Sequence, residues 1–161
     1  MTISLNRLWQ MSYDSKLLDV IRNSHHAIPI IQSFHLFGIT LLLGAMVILN
    51  FRMLGIGLNG IRLAVVAKQV WSWGTGGLVL AIATGFLVFI VDPARYAANY
   101  SFRSKMSLMV IAILFQYTLY RRVVRAEAAA VEPRRLLALP ILSLLLWFGV
   151  GWAGRAIAFL G

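Results

Sequence analysis

Four long runs of apolar residues, separated by short polar segments, dominate the chain. We place them at about 28–50, 69–91, 105–124 and 136–159. Each run can cross about 30 Å of hydrocarbon as an α-helix that rises about 1.5 Å per residue. The polar segments between the runs are too short to form separate soluble domains. The pattern predicts an all-α integral membrane protein, with residues 1–161 as a single transmembrane domain and four transmembrane helices in an antiparallel bundle.

The N-terminal segment, residues 1–27, has a different pattern. Asp14 or Ser15 can cap a short helix that continues to Asn23. Apolar side chains would share one face of this helix, and charged side chains would surround the other: Leu17, Leu18 and Ile21 against Lys16, Asp19 and Arg22. The segment is predicted to be an amphipathic helix lying in the membrane interface, with an ordinary N-terminal tail as the alternative.

Composition supports lipid as the solvent for most of the chain. Hydrophobic residues make up 60% of the sequence and charged residues 12%, and the mean hydropathy is +0.82. Soluble domains have about 45–50% apolar and about 25% charged residues. The absence of cysteine excludes disulfides, thiolate metal sites and covalent haem attachment through a CxxCH motif.

The net charge of +10 is explained by basic residues that flank the apolar runs. Such residues mark the edges of a membrane and contact anionic lipid headgroups, so no nucleic-acid partner is predicted. The densest basic cluster is "YRRVVR", directly after the third run. The positive-inside rule then places the first and third loops in the cytoplasm. Both termini are predicted to lie outside, which is the periplasm for a multi-pass protein of a bacterial inner membrane.

Small residues recur at four-residue spacing in the second run, at Gly77, Ala81 and Gly85. The fourth run contains a related stretch, "FGVGWAGRAIA". Such spacing allows helix backbones to approach closely in lipid, where no hydrophobic force drives helices together. It predicts a tightly packed bundle.

Polar residues inside the apolar runs are the candidates for a site. His35 lies about two turns into the first run, with Gln32 one turn before it on the same face. Lys105 and Arg155 fall at a similar depth on the third and fourth runs, and Trp152 lies close to Arg155 in sequence. An ionisable group in a transmembrane segment is by default a functional candidate. We therefore interpret His35, Gln32, Lys105, Arg155 and Trp152 as candidate cofactor-binding residues.

Each candidate also has a structural explanation. Arg155 can extend to the interface, and Lys105 can mark the membrane edge. Asp92, just before Pro93, can cap a turn. Gln116, near the middle of the third run, can bond to another helix. His35 itself can bond to a neighbouring helix, which would make its role structural.

The sequence resembles a family of uncharacterised bacterial four-helix inner-membrane proteins over nearly its whole length. The resemblance is carried by Pro29 with "IQSFHLFG", "FRMLGIG", "WSWGTGG", "FRSKM" and "GRAIAF", in this order. It implies an inner-membrane location and a shared set of His35, Lys105 and Arg155. Family members often carry a histidine near the end of the third span, where this chain has Tyr120.

Two classes of function remain open. The prediction is a non-catalytic subunit or accessory component of a larger membrane complex, with bound lipid and either protein partners or a homo-oligomer. The alternative is a redox module that binds a b-type haem or a quinone near His35 and Arg155, although haem usually needs a second axial ligand on a facing helix. His35 is also the one candidate metal ligand, in a poor ligand set for metal transport. No catalytic residues are predicted, because the sequence contains no paired carboxylates and no nucleophile–base motif.

Overall fold

A computed structural model describes residues 15–58, 60–120 and 133–160, which are helical apart from short connections. In chain order the helices are α1 (Lys16–Asn23), α2 (Ala27–Met53), α3 (Leu63–Val91), α4 (Pro93–Ala98), α5 (Tyr100–Phe115) and α6 (Pro133–Leu160). A π-helical turn, Gln116–Tyr120, continues α5. The helical prediction is therefore confirmed for the described residues.

Three helices are long and apolar enough to cross a membrane. They are α2, α3 and the part of α6 between Leu137 and Ile157, with mean hydropathies of 2.0, 2.2 and 1.8. They correspond to the first, second and fourth predicted spans. The third predicted span, 105–124, begins within α5 and passes through the π-helical turn, and its last four residues lie outside the described residues.

The first two predicted connections are shorter or more helical than the hydropathy pattern indicates. The first loop narrows to residues 54–62, because α2 and α3 both extend beyond their apolar cores. Gly55 and Gly57 adopt positive φ angles of 74° and 77° there, a conformation that glycine accepts without steric cost. The second loop contains α4, which begins at Pro93 after Asp92, whose carboxylate accepts a hydrogen bond from the backbone N–H of Arg95.

Helix α1 ends at Asn23 as predicted, with Ser15 as its N-cap residue. Its Leu18 side chain is buried. Arg22 donates two hydrogen bonds to the carbonyl oxygen of Val91 at the end of α3, at 3.2 and 2.9 Å. Helix α1 is thereby attached to the same end of the molecule at which α3 passes into α4.

The long helices pack mainly as two pairs. Helix α2 packs most extensively against α3, and α5 packs most extensively against α6; α2 also contacts α6. The largest buried cluster lies where these elements meet and includes Leu42, Met46, Leu78, Ala112 and Trp147. The pairs therefore share one core, and the polar residues of interest lie on its faces.

Candidate functional site

His35 lies at the interface of α2 and α3 and is half-buried. Its Nδ1 atom is 3.1 Å from Oγ1 of Thr84 on α3. The Thr84 hydroxyl donates to the carbonyl oxygen of Leu80 at 2.6 Å, so it is the hydrogen-bond acceptor for His35. This arrangement assigns the proton to Nδ1 and leaves Nε2 as an acceptor.

Glycine makes room for the imidazole ring. A Cβ atom at Gly85 would lie 3.0 Å from Cε1 of His35, so a larger residue there would force the ring to move. The predicted small-residue stripe thus contacts His35 directly. The same stripe allows α2 and α3 to approach closely at Gly77.

Helices α2 and α3 approach each other backbone to backbone at Gly38 and Gly77. A Cβ atom at Gly77 would lie 2.6 Å from the carbonyl oxygen of Gly38, and one at Gly38 would lie 2.8 Å from the backbone N of Ala81. Real Cβ atoms essentially never lie within 3.0 Å of another heavy atom, so a side chain at either glycine would force the helices to shift. Residue numbers rise along α2 as they fall along α3, from His35 opposite Thr84 to Met46 opposite Gly74. The two helices are therefore an antiparallel pair held by direct backbone contact.

Lys105 extends from α5 across Gly154 of α6. Its Cε and Nζ atoms lie 3.4 and 3.5 Å from the position of a Cβ at Gly154. Among the described residues, no hydrogen bond or ion pair to its Nζ atom is present. Lys105 thus lies against α6, whereas His35 lies against α3.

Arg155 and Trp152 lie elsewhere, in a groove between α2 and α6. The groove has a volume of about 560 Å³, and its walls are mostly apolar. His35, Lys105 and Gln32 do not line it. Gln32 is exposed on α2. The predicted candidates therefore divide into His35 against α3, Lys105 against α6, an Arg155–Trp152 pair and a separate Gln32.

A second polar cluster, which the sequence only hinted at, lies in the core. Asn50 Nδ2 donates to Ser143 Oγ at 3.1 Å, and Ser143 Oγ donates to Gln116 Oε1 at 3.3 Å. All three side chains are at most 1% exposed. The predicted interhelical role of Gln116 is thus observed. Asn50 and Ser143 were missed, although polar residues inside apolar runs are a visible signal.

Gln116 Nε2 is a buried donor without a partner among the described residues. Tyr117, the next residue, contacts α3 instead and shares a 2.8 Å hydrogen bond with Thr75. Its ring also meets Trp71 edge-on, with centroids 5.2 Å apart. Trp71, Thr75 and Tyr117 line a second, more open groove between α3 and the π-helical turn. Its volume is about 740 Å³.

No group of three His, Asp or Glu side chains within the described ranges could hold a metal ion. His35 has its Nδ1 engaged by Thr84, so hydrogen bonding is the chemistry that the structure shows at this residue.

Comparison with known proteins adds one identification. Neither the curated proteins nor the solved structures contain a match to this chain. A family model described as "Family of unknown function (DUF6644)" matches residues 15–160, which is nearly the whole chain and includes all of the described residues. The expected resemblance to an uncharacterised family is thereby confirmed, and the chain belongs to the DUF6644 family.

Proposed function

We propose that this protein is a non-catalytic subunit or accessory component of a larger complex in a bacterial inner membrane. In this proposal four helices cross the membrane as an antiparallel bundle, α1 lies in the interface, and both termini are periplasmic. The chain contributes a rigid helical unit that binds lipid and docks a protein partner.

The observation that carries the proposal is the bonding of His35. A cofactor ligand needs its side chain to face a cavity between helices, whereas a structural histidine bonds to a neighbouring helix. His35 bonds to Thr84, packs against Gly85 and lines neither of the two grooves described above. Interhelical hydrogen bonds of this kind stabilise membrane proteins by about 0.6–2 kcal/mol each.

The fourth crossing rests on α5 and the π-helical turn together. Residues 100–120 are continuously helical, which corresponds to about 30 Å along the helix axis. Helix α5 packs along α6, and its buried residues include Ala112 and Phe115 near its end. A helical segment of this length that packs along a spanning helix is stable in lipid when it also crosses the membrane.

A native gel of gently solubilised membranes tests the accessory role. We expect the 17.9 kDa chain to migrate in a complex several times its own mass, together with a different protein that cross-links to it. Migration as a monomer or as a homo-oligomer alone, at native expression level, would contradict the accessory role.

A redox module is the second candidate, and the observation that favours it is the hydrogen bond between His35 Nδ1 and Thr84. A histidine that binds a ligand through Nε2 is usually oriented by a hydrogen bond from its Nδ1–H to a neighbouring acceptor. For haem, a second axial ligand on a facing helix would also be needed. A quinol is smaller, and its hydroxyl would donate to Nε2.

Absorption and extraction measurements separate the two candidates. A purified protein that lacks a Soret band, both oxidised and reduced with dithionite, and that releases no quinone into organic solvent supports the structural role. Stoichiometric quinone that is lost in His35→Leu, but kept in the exposed-site control Thr40→Val, would favour the redox module instead.

A further inference from the structure

We propose that the groove between α2 and α6 binds one acyl chain of an anionic phospholipid, with the lipid phosphate at Arg155. The inference rests on the proposed membrane location but not on the accessory role. It assigns a ligand to a surface that the proposed function leaves open.

The walls of the groove suit a hydrocarbon chain. Leu43 and Met46 of α2 face Trp147 and Phe148 of α6, and Gly151 forms a gap in the α6 wall. A Cβ atom at Gly151 would meet nothing within 4 Å. The Phe148 and Trp152 rings stack with centroids 6.4 Å apart beside this gap. The result is a smooth apolar channel along the two helices.

The size of the groove favours a lipid chain over a helix. Its volume is about 560 Å³. A helix about 10 Å across fills roughly 800 Å³ for each 10 Å of its length. An acyl chain is much thinner and can lie along the channel without separating α2 from α6.

The charge and height of Arg155 specify the headgroup. Arg155 is the one charged residue among the described lining residues. It lies two residues before the end of the apolar stretch Leu137–Ile157, and its long side chain can extend from there to the level of the lipid phosphates. Trp152 beside it is 70% exposed, as is typical of an aromatic residue at the headgroup boundary. A guanidinium group at that level attracts a phosphate that carries net negative charge.

Native mass spectrometry with defined lipids tests the headgroup. The protein in mild detergent is titrated with phosphatidylglycerol and, separately, with phosphatidylcholine of the same acyl chains. We expect the first bound phosphatidylglycerol to be preferred about five-fold, and Arg155→Gln to remove this preference. Arg103→Gln, an exposed arginine at the same end of the bundle, should keep it. An unchanged preference in Arg155→Gln would overturn the proposal.

Filling the groove tests the acyl chain independently of charge. Gly151→Leu should lower the affinity for the first phosphatidylglycerol, whereas Gly76→Leu, at another open glycine outside this groove, should not. A dimer that Gly151→Leu dissociates would show that a second copy occupies the groove, which would overturn the proposal. If the protein is absent from membrane fractions, the membrane location itself fails. Loss of the larger complex alone affects only the accessory role.

Discussion

At the scale of single residues, the His35–Thr84 bond explains why a histidine is tolerated inside an apolar helix. A polar group removed from water without a partner costs a few kcal/mol. Thr84 supplies the acceptor, and its own proton is satisfied by Leu80. One ring nitrogen of His35 is therefore satisfied within the α2–α3 interface.

A double-mutant cycle measures this bond. Thr84→Val should lower the free energy of unfolding by about 1–3 kcal/mol, because Nδ1–H loses its acceptor. In the background of His35→Leu the same change should cost much less, with a coupling of about 0.6–1.7 kcal/mol. Reversible unfolding in mixed detergent and SDS micelles, followed by tryptophan fluorescence, gives the four free energies.

The control for the cycle is Thr40→Val. Thr40 is exposed on α2, and its hydroxyl bonds only to the carbonyl of its own helix at Leu36. This substitution should change stability by less than 0.5 kcal/mol, the range of ordinary surface changes. A coupling between His35 and Thr84 within about 0.3 kcal/mol of zero would mean that the bond contributes nothing to folding.

Sequence reasoning identified His35 but not its partner. A threonine in an apolar run carries no distinctive signal, and whether it faces His35 depends on the rotation of α3 about its axis. In the same way, the rotation of α6 about its own axis decides which helix Arg155 faces. Depth along the span placed it beside His35, but it lies on the α6 face that meets the apolar side of α2. The depth of a residue in the membrane follows from its position in an apolar run. The direction in which its side chain points around the helix axis is fixed by helix packing.

At the scale of helices, the small-residue stripe was predictable because four-residue spacing has a direct geometric consequence. It could not reveal which glycines are indispensable. Gly76 and Gly77 are neighbours on α3 with opposite environments. A Cβ atom at Gly76 meets nothing within 4 Å, whereas one at Gly77 lies 2.6 Å from a backbone oxygen of α2.

This neighbouring pair gives a matched prediction for the α2–α3 crossing. Gly77→Ala should lower the free energy of unfolding by about 1–3 kcal/mol, since the helices must separate. Gly76→Ala should raise it by up to about 0.5–1 kcal/mol, since alanine favours the helix and clashes with nothing. Unfolding of both variants in SDS-containing micelles measures the difference. Equal effects of the two substitutions would show that the helices do not touch at Gly77.

At the scale of the whole molecule, apolar run length predicted four spanning helices, and three of them coincide with helices that are long and apolar enough to cross a membrane. The boundaries moved outward because helices continue past the hydrocarbon into polar segments. The connection at 92–104 was read as a loop, yet Asp92 and Pro93 start α4 there. The third predicted span is the least regular, because its α-helix changes to a π-helix at Gln116, where the buried hydrogen bonds to α6 are made.

Cysteine accessibility tests the proposed number of crossings and their direction. The chain has no cysteine, so single introduced cysteines at Ile61, Ala94 and Ala128 report each connection without background. A membrane-impermeant maleimide applied to spheroplasts should label Ala94→Cys, since that connection is proposed to be periplasmic. Ile61→Cys and Ala128→Cys should be labelled only after lysis, because the basic residues near them are retained in the cytoplasm. Labelling of Ala94→Cys and Ala128→Cys on the same side would mean that α5 does not cross. Labelling in the opposite sense at all three positions would keep four crossings but invert the protein, and Arg155 would then meet the lipids of the cytoplasmic leaflet.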